Sequence, residues 1–78
     1  MTEGERARAW REGFGLSRPK LAAMTGYSVS AIRNFEAGAN RGNGAPIPPK
    51  SMLAYKLACA AVASGLTFDW GPVSINLE

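Results

Sequence analysis

Residues 17 to 38, SRPKLAAMTGYSVSAIRNFEAG, constrain the fold more than any other stretch of this chain. They read as two short helices joined by a turn at Gly26. Leu21 and Ala22 lie on the first helix, and Val29, Ile32 and Phe35 on the second. Ala22 is small where the two helices cross. Gly26 stands at the sharp turn, in a left-handed conformation that a side chain would resist. Ile32 and Phe35, three apart, face back toward the rest of the chain. The second helix then carries Ser28, Ser30, Arg33 and Asn34 outward with no acid among them. A helix presented in that way fits the major groove of DNA. A small bundle that uses the same packing for stability alone explains the core equally well, but not that polar face.

Starts and stops elsewhere follow local chemistry. Thr2 to Glu5 spells T-x-x-E, a capping box that opens a first helix, on which Ala7, Trp10 and Phe14 form an apolar stripe. Gly13 and Gly15 end it, and Leu16 enters the core. Ser17 caps the second helix with Pro19 in its first turn; Ser28 caps the third, which runs to about Ala37 and stops at Gly38. ANRGNGAPIPP then reads as a loop. Pro48 and Pro49 preset a fourth helix that carries Met52, Leu53, Leu57, Ala60 and Ala61 and ends at Gly65.

In the tail, LTFDWGPVSINLE, the apolar period changes to two on both sides of Gly71-Pro72. A two-residue turn there, with Gly71 at positive φ, pairs Trp70 with Val73, Phe68 with Ile75 and Leu66 with Leu77 on one face. Asp69 with Ser74 and Thr67 with Asn76 share the other. A lone hairpin is marginal in water, so its apolar face needs cover from its own helices or from a second chain.

With 78 residues the chain makes one domain, divided here into a helical unit, 1–65, and a C-terminal extension, 66–78. So short a chain buries only about 60% of its unfolded surface. One cysteine and no histidine remove an internal disulfide, a zinc finger and any Cys/His or Ser/His catalytic arrangement. Oligomerisation is the remaining means of securing so small a fold, and a homodimer with Phe68, Trp70, Val73 and Ile75 at its interface is expected. No cofactor, metal or enzymatic activity is expected. Residues 1 to 12 are charged, unlike a signal peptide, and no apolar run spans a bilayer; with a free thiol this points to the cytoplasm. Cys59 reads as a small buried hydrophobe rather than a reactive thiol.

The net charge is only +3, but it is unevenly placed. Between Ser17 and Lys50, Arg18, Lys20, Arg33, Arg41 and Lys50 stand against the single acid Glu36. One basic half beside a near-neutral half suits a single nucleic-acid face, although a solvated basic surface gives the same pattern.

WREGFGLSRPKLAAMTGYSVSAIRNFEAG resembles the XRE family, the helix-turn-helix domains of lambda-type phage Cro and repressor proteins. The resemblance covers roughly residues 7 to 62. It rests on Trp10-Arg11-Glu12, on Leu16-Ser17 followed by Leu21-Ala22, and on Phe35-Glu36-Ala37-Gly38. It implies an all-α, lambda-repressor-like domain of four or five helices that binds operator DNA as a dimer and regulates transcription. It also implies that Arg11 pairs with Glu36. The chain departs from the family in its long proline-rich loop after Gly38, in Thr25 and Tyr27 at the turn, and in its strand-like tail.

Carried over by position, the base-facing residues are Ser28, Val29, Ser30, Arg33 and Asn34. Arginine makes bidentate contacts to guanine, asparagine to adenine, and valine meets a thymine methyl. Val29 serves equally well as packing; Arg33 is the first expected base reader, with a phosphate contact as its alternative. Phosphate contacts are expected from Ser17 and Arg18 at the N-terminus of the second helix and from Asn40, Arg41 and Asn43 in the loop, with Lys20 and Lys50 as additions. The leading expectation is a homodimeric repressor on an inverted repeat of double-stranded DNA, in a phage or mobile-element setting. The alternatives are an antitoxin, whose aromatic tail binds a toxin, and a protein-interaction module without DNA binding.

Overall fold

Helices form where a side chain replaces a missing backbone partner, and this chain supplies one at three of its four helix starts. The computed structural model describes residues 1–71 together with 74 and 75. It is mostly helical, with α1 (Glu3–Gly13), α2 (Arg18–Thr25), α3 (Val29–Ala37) and α4 (Pro49–Ser64), then two-residue strands β1 (Leu66–Thr67) and β2 (Ser74–Ile75). Thr2 and Glu5 form the full capping box of α1. Ser17 accepts from the Lys20 N–H and Ser28 from the Ala31 N–H, at 3.2 and 3.0 Å. The fourth helix has no capping side chain; Pro48 and Pro49 preset its entry instead.

Gly26 closes α2 with φ +83°, which lets the chain reverse into Ser28, the N-cap of α3, two residues later. The Thr25 hydroxyl donates to the Leu21 carbonyl at 2.8 Å and accepts from the Tyr27 N–H, so a polar residue pins the turn from inside. α3 packs on α1 and α2, and α4 closes over α2.

The core consists of Leu21, Ile32, Phe35, Met52 and Tyr55, with Ala7, Trp10, Leu16, Ala22, Tyr27, Cys59 and Val62 packed around it. Each such side chain contributes about 1.5–3 kcal/mol of transfer free energy. Three aromatic rings share the centre. Phe35 and Tyr55 stack at 4.3 Å, and Tyr27 meets both edge-on at 5.3 and 5.4 Å. α4 therefore turns Met52, Tyr55, Cys59 and Val62 inward, and leaves Leu53 and Leu57 exposed. The leucines advertised in the sequence are on the outside because the 3.6-residue stripe starting at Met52 passes through Tyr55 instead.

Arg11, buried on α1, donates to both carboxylate oxygens of buried Glu36 at 2.6 and 3.2 Å, and its third nitrogen holds the Leu16 carbonyl at 2.9 Å. The pairing implied by the family resemblance is thus present. It ties α1, the α1–α2 connection and the end of α3 into one unit.

The tail differs from expectation. Leu66 pairs with Ile75 and Thr67 with Ser74, two positions away from the expected register of Leu66 with Leu77 and Thr67 with Asn76. Positive φ falls on Trp70, at +70°, and not on Gly71. The physical reason is Asp69, whose carboxylate accepts the Gly71 N–H at 3.2 Å and starts the chain reversal before the Gly-Pro pair. Val73, Leu77, Asn76 and the side chain of Ile75, which entered the expected pairings, lie outside the described residues.

Candidate nucleic-acid interface

The polar side of α3 is solvent-accessible. Ser28, Ser30 and Arg33 are exposed, while Val29 and Asn34 are half-buried. The one acid on the helix, Glu36, is buried against Arg11 and Arg18. Ile32 and Phe35 anchor the opposite side in the core. The outer face of α3 is therefore free of negative charge as a consequence of folding and not of composition alone.

Two of the expected base-reading side chains have local work. Ser28 is the N-cap of α3. The Asn34 side-chain carbonyl accepts the Arg41 N–H at 3.3 Å, and its backbone carbonyl accepts from Gly38 and Ala39. A bidentate contact to adenine needs both ends of the amide. Asn34 therefore acts in this structure as the anchor of the following loop. Ser30, Arg33 and Val29 remain without such ties.

The loop between α3 and α4 is a folded turn. Ala39 bridges to Pro46, Asn40 exchanges backbone hydrogen bonds with Ala45 and Gly44, and Asn43 accepts from the Ala45 N–H at 2.9 Å. Its tip, residues 41–44, is exposed. Arg41 is thus held beside α3 through its own backbone N–H, with its side chain exposed.

Expectations for the start of α2 change most. Ser17 is consumed by capping, Pro19 has no N–H, and the Lys20 N–H is satisfied by Ser17. The helix terminus retains little donor capacity for an anion. Arg18 was expected at phosphate, but its guanidinium reaches Glu36 at 3.0 Å and is largely covered. Burial opposes ionisation of Glu36, yet Arg11 and Arg18 outweigh it and hold the carboxyl below its ordinary range. Of the five cations from Ser17 to Lys50, only Arg18 is spent in this way. Lys20, Arg33, Arg41 and Lys50 are exposed and form no ion pair among the described residues.

Of the expected interface residues of the tail, Phe68 and Trp70 are uncovered. Phe68 and Trp70 stack loosely on each other at 5.5 Å, and Trp70 is 91% exposed. Val73 lies outside the described residues. Cys59 is half-buried, and burial pushes its thiol pKa up, away from reactivity. No group of three or more potential metal ligands occurs among the described residues, and no helix among them is long and apolar enough to cross a membrane.

Two elements of this architecture escaped sequence reading. Tyr55 is the largest fully buried side chain, and its signal was the Met52-Tyr55-Cys59-Val62 stripe. Gly4 is buried where α1 crosses the end of α3, and an isolated glycine in a charged helix gives no sign of that. Comparisons with protein-family models, with curated proteins and with solved structures give no match for this chain.

Proposed function

We propose that this protein is a sequence-specific DNA-binding transcriptional regulator of the helix-turn-helix, lambda-repressor-like type. It acts as a cytoplasmic homodimeric repressor on an inverted repeat, in a phage or mobile-element setting. α3 enters the major groove, with Arg33 reading a base and Ser30 and Val29 beside it. Arg41, Lys20 and Lys50 neutralise phosphates on either side. Two such helices on one face of the duplex stand about 34 Å apart, one helical turn.

The observation that carries this reading is the charge separation on α3. Its only acid is buried against two arginines, while Arg33 on its outer face is exposed and unpaired among the described residues. A helix kept only for packing has no need of that arrangement. The resemblance to XRE-type sequences through Arg11, Glu36 and Gly38 agrees with it. The antitoxin reading draws only on the exposed Phe68 and Trp70 and requires an untagged partner to co-purify.

The test is footprinting on DNA upstream of the protein's own reading frame, with a salt titration. Protection of two half-sites about 10 base pairs apart, with affinity falling steeply with salt, is the expected result. Salt-insensitive or absent binding to both that DNA and random duplexes overturns the proposal.

A further inference from the structure

The outward side of α4 is apolar from Leu53 to Ala61. Met52, Tyr55, Cys59 and Val62 take the inner side, against the core. With 3.6 residues per turn, the opposite side passes through Leu53, Ala54, Leu57, Ala60, Ala61 and Ser64. Leu53 and Leu57 are 54% and 62% exposed, and Ala54, Ala60 and Ser64 are exposed beside them. No acid occurs between Lys50 and Gly65, and the only cations there are Lys50 and Lys56. Lys56 stands off this side and holds Glu3 at 3.6 Å. The fold thus leaves two leucines uncovered on an uncharged helix face.

Both ends of α4 are charged against the helix dipole. The first turn holds Lys50, no acid and no capping side chain, and the last turn holds no basic residue. The positive end of the dipole therefore carries a cation and the negative end carries none. A second copy laid antiparallel on this face corrects both ends at once. About a two-fold axis through Leu57, Lys50 of each copy lies beside Ser64, at the C-terminal end of the other helix. The same axis sets Leu53 opposite Ala61 and Ala54 opposite Ala60. The larger side chain of each copy then meets a methyl group, and no like charges face each other. Charge and size are complementary between this face and its own two-fold image.

We infer that two copies of this chain associate through their α4 helices, antiparallel, with Leu57 of each copy on the two-fold axis. The contact is isologous and closes at two copies. Alanines opposite Leu53 let the helices approach to the near end of the usual spacing of about 8–10 Å. A seam along one 16-residue helix is small, below the roughly 1,200 Å² at which standard interfaces begin. The free protein therefore associates weakly, and a duplex that holds two copies side by side strengthens the contact. This inference rests on the homodimer proposed above and places its centre on α4 and not on Phe68 and Trp70 of the tail.

A residue on a two-fold axis meets its own copy, and this provides the test. Leu57→Cys in a Cys59→Ala background, oxidised with copper–phenanthroline, is expected to give a covalent dimer joined through the two introduced sulfurs. Ser64→Cys in the same background is expected to stay unlinked, because an antiparallel pair sets its two copies about 21 Å apart along the helices, far beyond disulfide reach. No linkage through residue 57, or equal linkage through 57 and 64, overturns the inference. Independently, Leu57→Glu with the native thiol in place changes only an exposed position and is expected to weaken self-association on the order of 30-fold, as loss of a central anchor does. Sedimentation equilibrium across concentration reads this out. An unchanged dimer in Leu57→Glu, above all one that Trp70→Ala dissociates, overturns the α4 seam and leaves the homodimer standing. A wild type monomeric at every concentration, free and on DNA, overturns the seam and the dimeric part of the proposed function together. Footprinting decides DNA binding separately, since a monomer that still protects DNA leaves that part intact.

Discussion

Arg11 and Glu36, separated by 25 positions in the chain, meet through two charge-assisted hydrogen bonds in a site where both side chains are more than nine-tenths buried. Arg18 adds a third contact from the rim. One carboxylate therefore sets the positions of α1, α2 and α3 together, and with them the direction in which α3 presents Arg33. Removing a single member of such a buried pair leaves an uncompensated charge and costs about 3–5 kcal/mol. Glu36→Gln is expected to lower the unfolding free energy by that amount at neutral pH, as read by urea denaturation.

The same pair predicts an acid limit. Glu36 is held below its ordinary value of 4.5 in the folded state, so ionising it stabilises the fold. That contribution is fully present above the unfolded value. It is lost as pH falls through the lowered folded value, because the unfolded chain then binds the proton more readily. Wild-type stability is expected to fall below pH of about 4.5, and the Glu36→Gln protein to show a shallower decline. Equal slopes in the two proteins would assign the acid sensitivity to other carboxylates.

Gly4 predicts a contrast between two glycines of one helix. A methyl group at Gly4 would stand 2.7 Å from the Phe35 carbonyl oxygen and closer still to that of Glu36, both backbone atoms that cannot swing away. Gly4→Ala is expected to cost about 1–3 kcal/mol through separation of α1 from α3. At Gly13 the same methyl meets nothing within 4 Å. Gly13→Ala is expected to be neutral or to stabilise by roughly 0.4–1 kcal/mol. Thermal unfolding of the two variants distinguishes a close helix crossing from simple helix propensity.

Asn34 predicts a separation between loop order and base reading. Asn34→Ala removes the acceptor of the Arg41 N–H and is expected to destabilise by about 0.5–1.5 kcal/mol. Amide exchange at Arg41 should accelerate by more than at Gly44, which bonds instead to the Asn40 carbonyl. Base preference should stay unchanged, and a lost adenine preference would mean that Asn34 releases the loop on DNA.

Arg33 and Arg41 predict two different losses. Arg33→Ala is expected to cost about 1–3 kcal/mol of discrimination at one or two base pairs, with weak general binding retained. Arg41→Ala should weaken binding to all sequences and reduce the salt slope by about 1. Binding titrations on matched and single-mismatch duplexes read both. An Arg33 variant with unchanged sequence preference belongs to the phosphate class.

Local order was legible in the residues because it is short-range. Thr2 with Glu5, Ser17, Ser28, Pro48 with Pro49, and the glycines at 26, 38 and 65 each act on atoms within a few positions, and the helix boundaries follow them. The exposed polar face of α3 was also readable, since the spacing of Ile32 and Phe35 determines which side is buried. Tertiary packing decided what spacing cannot. It spent Arg18 on Glu36, turned Tyr55 inward and Leu57 outward, pressed Gly4 against α3, and tied Asn34 to the loop. In the tail, the Asp69 carboxylate moved the chain reversal off Gly71 and with it the register. Periodicity specifies a face modulo one turn of helix. Which side chain fills that face, and which charge finds its partner, depends on the three-dimensional neighbours that supply contact and exclude water.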